Sequence, residues 1–271
     1  MANPPSGHRA RKRFGQNFLH DQGIINRIAR AVHPQPGQHL VEIGPGQGAL
    51  TAALIASGCQ LDVIELDRDL VPILLAQFAN NKAFKLHQGD ALKFDFASLQ
   101  NGGESLRVVG NLPYNISTPL IFHLLEQQAL IADMHFMLQL EVVNRLAAKP
   151  GTKNYGRLSV IAQYYCQVHA LFEVPPEAFN PRPKVQSAIV QLTPHMALSG
   201  QLPCPADDVK RLQSILRTAF NQRRKTLRNS LRDVLSAEQI ASLGIDPAQR
   251  PENLSLQEFV ALSNLCGAET H

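Results

Sequence analysis

Short apolar segments alternate with helical segments between residues 39 and 140, and this alternation limits the possible folds more than any other feature of the sequence. Strands joined in this way by helices form a parallel sheet that is covered on both faces. The sequence therefore predicts an α/β fold. The predicted strands are 39–43, 61–65, 83–87, 106–110 and 135–140, and the predicted helices between them are 48–56, 70–78 and 120–126.

The rest of the chain predicts an edge to the sheet and a second domain. Two β-rich segments, 167–172 and 187–192, predict an antiparallel hairpin at the sheet's edge. The loop 193–205 holds three prolines and a glycine, so we place the domain boundary there. The larger predicted domain covers 1–198 and begins with a basic segment, 1–20. Residues 206–271 show apolar positions at helical spacing with a break at 221–225, and they predict a small all-helical domain.

Composition and charge exclude several classes of protein. The chain has 271 residues, a net charge of +4 and a pI of about 9.0, a balance that favours a polyanionic partner. Its four cysteines lie far apart, which is typical neither of a disulfide framework nor of a zinc site, so we expect no metal. No segment predicts a signal peptide or a membrane span. We therefore expect a cytoplasmic protein, and nothing requires more than a monomer.

The strand 39–43 runs into a glycine-rich turn, Gly44 to Gly48, and then into a helix. Glycines allow a backbone to approach a ligand closely, and the N-terminus of the helix presents free N–H groups. Gly44 and Gly46 are therefore candidate cofactor-binding residues. Taken alone, the turn also fits a dinucleotide fingerprint with Ala49 in place of its third glycine.

Acidic residues follow the first strands of the predicted sheet. Glu65 ends the second strand, where a carboxylate can accept hydrogen bonds from ribose hydroxyls, and Asp90 follows the third, where it can meet an adenine amine. Glu42, just before the glycine turn, suits a cationic ligand. Together these acids predict a nucleotide-like cofactor. The alternative is that Glu65 and Asp90 only cap helices.

The fourth predicted strand ends in Asn111-Leu112-Pro113-Tyr114. The exocyclic amine of adenine is a poor nucleophile because its lone pair is delocalised into the ring. Two acceptors on its N–H groups, the Asn111 amide oxygen and the Leu112 carbonyl, favour a pyramidal nitrogen with an available lone pair, and Pro113 stiffens the turn. Tyr114 offers a flat surface for a stacked base, worth roughly 1–3 kcal/mol. The alternative is an ordinary turn that contains a proline.

These motifs, taken in order, make the chain similar to one known family over nearly its whole length. They are the run from Lys12 to Leu19, the turn from Glu42 to Gly48, Glu65, Gly89-Asp90, the Asn111 tetrapeptide and the segment from Phe179 to Ser187. The chain resembles the KsgA/RsmA family of ribosomal RNA adenine dimethyltransferases. The resemblance implies a Rossmann-like class I methyltransferase domain with a mainly parallel seven-stranded sheet, and S-adenosylmethionine as the cofactor.

The resemblance also implies roles for individual residues. A pocket for S-adenosylmethionine would be lined by Asn17, Leu19, Gly44, Glu65, Asp90 and Asn111. Tyr114 and Phe179 would hold the target adenine between them, since a base must leave its stack to reach such a pocket. The implied substrate is a pair of adjacent adenosines in the 3′-terminal hairpin loop of 16S rRNA, each carried to the N6,N6-dimethyl form. The implied partner is the assembling small ribosomal subunit.

Basic side chains gather in three places besides the N-terminal segment, and they are candidate RNA-binding residues. A solvated helix face is the alternative for any one of these clusters. A surface that follows phosphates fits all three. The candidates are Arg145 and Lys149, Arg182 and Lys184, and Arg223, Arg224 and Lys225.

Three other functions stay open at this stage. An antibiotic-resistance type of methyltransferase that acts on large-subunit rRNA shares the glycine turn and a similar tetrapeptide. An oxidoreductase with a nicotinamide cofactor would explain the turn, but not the segment from Asn111 to Tyr114. A non-catalytic ribosome-assembly factor would keep the fold without activity.

Overall fold

A computed structural model describes residues 16–100, 103–113, 115–222 and 224–268. The chain forms two compact units. The first contains the described residues up to Val143 together with His169–Ala197. The second contains Asn144–Val168 together with the described residues from Leu198 onward. None of the described helices is long and apolar enough to cross a membrane.

A seven-stranded sheet organises the first unit, as predicted. Its strands lie in the order β4-β3-β2-β5-β6-β9-β7, and a separate two-stranded ribbon pairs β1 with β8. The pairs among β2 to β6 are parallel, whereas β9 runs antiparallel to β6. The strands are β1 Phe18–Leu19, β2 His39–Ile43, β3 Gln60–Glu65, β4 Phe84–Gln88, β5 Leu106–Asn111, β6 Ile131–Gln139, β7 Cys166–Val174, β8 Phe179–Asn180 and β9 Ser187–Pro194.

Helices follow most of the strands, and the described part of the chain holds eleven of them. Those predicted between strands are confirmed within three residues at each end. All five residues of the central strand β2 are buried, which is typical of a parallel sheet covered by helices on both faces. The helices are α1 Gln22–Val32, α2 Ala49–Ile55, α3 Val71–Phe78, α4 Ser117–Glu126, α5 Leu140–Leu146, α6 Arg157–Tyr165, α7 His195–Ser199, α8 Val209–Phe220, α9 Leu227–Ser230, α10 Ala237–Ser242 and α11 Leu256–Ala268.

Helix α1 is fixed at both ends, and its position matters because residues 16–19, which line the cavity described below, lie directly before it. Asp21 caps its first turn by accepting a hydrogen bond from the Ile24 N–H. At the other end Arg107 of β5 donates to the Val32 carbonyl at 2.6 Å while it pairs with Asp133 of β6 at 2.9 Å. The half-buried Arg107 thus ties the last turn of α1 to two neighbouring strands.

The second unit is mainly helical, as predicted. Helix α8 buries Leu212, Ile215, Leu216 and Ala219, which belong to the apolar face that the sequence indicates. Phe220 at its end contacts the rings of Tyr155 and Phe259, with centroids 6.3 and 5.5 Å apart. After the predicted break at 221–225, the chain is helical only in the four residues of α9 before it turns, and Leu231 and Leu235 are buried from the turns that follow α9.

The segment Asn144–Val168 differs from the predicted division of the chain. The sequence predicts that it belongs to the first domain, whereas the structure groups it with the helical unit. The prediction rested on the proline-rich loop, where the chain leaves the first unit for the last time. The two earlier boundaries between the units, at 143/144 and 168/169, lie inside helix α5 and strand β7, so no loop marks them in the sequence.

Candidate active site

A cavity in the first unit opens at the carboxyl ends of the central strands. In an open parallel sheet this edge is where ligands bind. All seven predicted cofactor-binding residues line it, and so do Leu112 and Pro113. The seven are Asn17, Leu19, Gly44, Gly46, Glu65, Asp90 and Asn111. No group of three or more metal-ligating side chains is found in the described residues.

The glycine turn between β2 and α2 needs glycine for its backbone conformation. Gly44, Gly46 and Gly48 have φ angles of +67°, +60° and +85°, a region that side chains with a Cβ rarely adopt. Gly48 is also crowded, since a Cβ there would lie 2.6 Å from the ring of Phe78. The turn therefore brings bare backbone to the cavity wall at Gly44 and Gly46.

Glu65, at the end of β3, is held by main-chain donors. One carboxylate oxygen accepts from the Asp67 N–H at 2.7 Å, and the other from the Gly46 N–H at 3.4 Å. Burial raises the pKa of Glu65, and these hydrogen bonds lower it in part. The carboxylate is thus fixed beside the glycine turn, where the sequence analysis expects ribose hydroxyls.

Two further acids of the cavity, Glu42 and Asp90, differ from Glu65 in their burial and hydrogen bonds. Glu42, near the end of β2, is only 2% exposed and accepts from the Thr51 hydroxyl at 2.6 Å. Burial raises its pKa to about 7. Asp90, after β4, is half-buried and accepts from the Leu92 N–H at 3.0 Å. That bond closes the turn at 91–93 and caps no helix, and the residue also lines the cavity.

Residues 16–19, which belong to the predicted basic segment, form part of the cavity wall, and three contacts hold them there. The Gln16 amide donates to Asp67 at 2.9 Å, and the Asn17 carbonyl accepts from the Asn111 side chain at 3.1 Å. In the ribbon, Leu19 of β1 pairs with Phe179 of β8. The sequence gives no sign of the contact between Gln16 and Asp67, because 51 residues separate them. Gln16 belongs to the run from Lys12 to Leu19 but received no role there, and Asp67 belongs to no motif.

Asn111, the last residue of β5, faces the same cavity as the glycine turn. Its Nδ2 donates to the Asn17 carbonyl, so its Oδ1 is the atom suited to accept a hydrogen bond from a ligand. Gly110 allows this close packing, since a Cβ there would lie 2.7 Å from the Ile43 carbonyl oxygen. The Leu112 N–H is bound to the Met137 carbonyl at 3.2 Å. Tyr114 lies outside the described residues.

Phe179 does not lie where a base-stacking residue is expected. It is 4% exposed, it belongs to the apolar core with Leu19 and Ile189, and it is not among the residues that line the cavity. The sequence could not reveal this burial, because the pairing of β8 with β1 joins residues about 160 positions apart. In this structure Phe179 belongs to the apolar core together with Leu19 and Ile189, two residues that do line the cavity.

His135 is a cavity residue that the sequence analysis did not single out. It lies on β6 beside Val109 of β5, and its two ring nitrogens are buried without a hydrogen-bond partner. Nδ1 is 3.7 Å from an Asp133 oxygen. Burial lowers the pKa of His135, the Asp133 charge raises it and Arg107 lowers it, so the ring is neutral. A histidine in the middle of a strand carries no sequence signal for such a position.

The predicted RNA-binding residues are exposed wherever they are described. In the first unit these are Arg182, which pairs with Glu177, and Lys184. In the second unit they are Arg145 and Lys149 before α6, and Arg224 and Lys225 in the turn after α8. Arg223 lies outside the described residues.

Comparison with known proteins gives one consistent result. The family described as "Ribosomal RNA adenine dimethylase" matches residues 7–267. The chain is 64% identical over 257 residues to "Ribosomal RNA small subunit methyltransferase A" of Pseudomonas aeruginosa, covering 95% of this chain and 94% of the relative. It is 63% identical over 261 residues to the protein of the same name from Saccharophagus degradans, covering 96% of each.

Solved structures agree with this result. A dimethyladenosine transferase from Plasmodium falciparum has a TM-score of 0.77 at 25% identity and covers 90% of this chain and 95% of its own. The 23S rRNA methyltransferase ErmE has a TM-score of 0.72 at 22% identity, with 93% and 100% covered. The second likeness supports the fold alone.

Proposed function

This chain belongs to the ribosomal RNA adenine dimethylase family and is an rRNA adenine dimethyltransferase, and from that premise we propose how its residues act and on which RNA. The proposed substrate is the pair of adjacent adenosines in the 3′-terminal hairpin loop of 16S rRNA, within the small ribosomal subunit. The names of its relatives support the small subunit as the partner. We further propose that the protein acts as a monomer in the cytoplasm.

Enzymes of this family use S-adenosylmethionine, which supplies an electrophilic methyl group on a sulfonium sulfur. The cavity suits such a ligand, because bare glycine backbone and four carboxylates meet there and no lysine or arginine is among the described lining residues. Glu65 would accept the ribose hydroxyls, and Asp90 the adenine amine. The backbone of Gly44 and Gly46 would approach the ligand closely.

The observation that carries the proposal is that Asn111 shares one cavity with Gly44, Gly46 and Glu65. With its Nδ2 held by Asn17, the Asn111 amide presents Oδ1 to an amine N–H. The Leu112 carbonyl would take the second N–H, which leaves the nitrogen lone pair available. A positioned amine needs no strong base, since it loses its proton readily once methylated, and most of the rate gain comes from placement.

The basic side chains would hold the RNA by its phosphates. Lys184 stands exposed after the ribbon in the first unit, and Arg145, Lys149, Arg224 and Lys225 stand exposed in the second. Phosphate contacts position an RNA without reading its sequence. Selectivity for two adenosines would then come from the shape of the subunit and from the cavity.

Mass spectrometry of rRNA after incubation with the protein and S-adenosylmethionine tests this function. Purified small subunits are expected to gain two dimethyladenosines in the terminal hairpin loop of 16S rRNA. Purified large subunits are the control and are expected to gain none. Methylation of large subunits alone would show the antibiotic-resistance type of activity, and cofactor binding without transfer to either subunit would favour a non-catalytic assembly factor.

A further inference from the structure

All the charged side chains described in the cavity lining are acidic. Glu42, Glu65, Asp67 and Asp90 line the cavity, the described lining residues include no lysine or arginine, and His135 is kept neutral by burial. A cavity lined by charges of one sign and walled by protein focuses their field on the bound molecule. The wall therefore favours a cationic ligand over a neutral ligand of the same shape.

Glu42 has less hydrogen-bond support for its charge than its neighbour Glu65. The Thr51 hydroxyl of α2 donates to Glu42, whereas Glu65 is held by two main-chain N–H groups. Of the groups packed around Glu42, Glu65 on β3 carries a like charge, and Cys59, just before β3, is a buried thiol. Val109, which lies opposite Glu42 on β5, carries no charge.

These surroundings place the ionisation of Glu42 in the neutral range. Burial raises the pKa of Glu42 to about 7, the Thr51 hydrogen bond lowers it, and the like charge of Glu65 raises it. Near neutral pH the free cavity therefore holds a proton on Glu42 in about half of the molecules. A cation that enters the cavity favours the carboxylate and lowers this pKa, whereas a neutral ligand does not.

We infer that Glu42 distinguishes the sulfonium donor from its spent thioether by giving up a proton when the donor binds and taking one back after transfer. The inference rests on the proposed function of this cavity. Binding of the donor turns the Glu42 acid into a carboxylate and releases one proton to solvent. In the transfer the S–CH₃ bond breaks with its electrons left on sulfur, and the amine lone pair forms the N–CH₃ bond. The methylated nitrogen, now cationic, then loses its N–H proton to solvent. The sulfur is then neutral, so Glu42 recovers a proton from solvent and the spent ligand is held less tightly.

Isothermal titration calorimetry in buffers of different ionisation enthalpy tests the inference, because it counts protons without turnover. The ligands are S-adenosylmethionine, its thioether product and an analogue with an ammonium at the sulfonium position. The two cations are expected to release close to one proton at pH 6, about half at pH 7 and about a tenth at pH 8. Their affinity is expected to rise roughly tenfold from pH 6 to pH 8, while the thioether shows neither effect.

Three variants complete the test. Glu42→Gln keeps an acceptor for Thr51 and is expected to abolish the proton release and the tenfold rise. Thr51→Val removes the hydrogen bond and is expected to move the release to higher pH. Asp90→Asn, a second acid of the same wall, is expected to weaken all three ligands alike and to keep the proton release.

Two results would overturn the inference. One is equal proton release by the thioether and the two cations, and the other is unchanged release in Glu42→Gln. If none of the three ligands binds the wild-type protein, the proposed function itself fails, which is a different outcome. If they bind without dependence on Glu42, only the present inference fails.

Discussion

The cavity of the first unit and the exposed face of the second use charge in opposite ways. The cavity gathers four acidic side chains, three of them almost fully buried and each held by defined hydrogen bonds. In the second unit, by contrast, the sequence from Val209 to Arg232 contains no acid, and Arg224 and Lys225 project into solvent. The net charge of +4 is therefore the sum of an acidic cavity, a basic face and the rest of the chain, and it does not show that the first two differ in sign.

The difference shows what each kind of charge can contribute. Buried charges in fixed geometry are weakly screened, so they select among ligands of similar shape. Exposed charges are screened by salt and attract any polyanion, so they supply affinity without selectivity. If this comparison holds, changes in the cavity have large effects specific to the ligand, and changes on the basic face have small effects that depend on salt.

The largest effect is expected for Asn111→Ala. The variant loses the oxygen that accepts an amine N–H and the donor that holds Asn17, and kcat is expected to fall about 10²–10³-fold, as when one preorganised polar group is removed from other active sites. Methyl transfer to small subunits measures it. Asn80→Ala, an exposed asparagine after α3, serves as the control and should keep full activity. Normal methylation by Asn111→Ala would contradict the proposed mechanism.

The next largest effect is expected on the free energy of unfolding of the ligand-free protein, which should depend on pH. Because the pKa of Glu42 is raised to about 7, the unfolded chain ionises near pH 4.5 while the folded protein keeps the proton. The free energy of unfolding should therefore fall as the pH rises from 4.5 to 7, by about 3 kcal/mol for this group, with no further change above. Urea unfolding at several pH values measures it. Glu42→Gln should lose this part of the fall and keep only that of other buried acids such as Glu65, and Glu104→Gln, an exposed control, should retain the whole of it.

A smaller effect is expected for Glu65→Gln. The side chain keeps an acceptor oxygen but loses its charge and one of its two main-chain hydrogen bonds. Since hydrogen bonds to charged groups contribute about 1.5–3 kcal/mol, the cofactor should bind roughly 10- to 100-fold more weakly. Calorimetry gives this affinity. Equal loss for a ligand without ribose hydroxyls would argue that Glu65 acts on something else.

The smallest effect is expected for the double variant Arg224→Gln and Lys225→Gln. Binding to small subunits should weaken several-fold, and the slope of log affinity against log salt should fall by about two. Filter binding over a range of salt concentrations measures both. The matched control replaces Lys82 and Lys85, two exposed lysines near β4, which should leave the slope unchanged. A double variant that loses affinity equally at every salt concentration would break the contrast between the two regions.

The sequence predicts the cofactor side of the cavity well because its residues stand at the ends of successive strands. The topology of a parallel sheet then brings Gly44, Glu65 and Asp90 to one edge without any knowledge of side-chain contacts. Asn111 is predictable for the same reason.

What the sequence does not predict depends on contacts between distant segments. The ribbon pairs Leu19 with Phe179, and it buries a ring that the family resemblance assigns to the target base. The hydrogen bond from Gln16 to Asp67 and the unpaired ring of His135 arise only after the chain has folded. Periodicity reports which elements form and which of their faces are apolar, but not which distant element covers them.

The two-residue pairing of β1 with β8 has a practical consequence for anyone who shortens this protein. A fragment that starts at residue 20 would still contain every strand of the large sheet, and by that standard it would count as a whole domain. It would lack Asn17 and Leu19, leave Asn111 without its acceptor and expose the side of Phe179 that Leu19 covers. Such a truncation removes part of the cavity wall, although in the sequence it deletes only a short N-terminal segment.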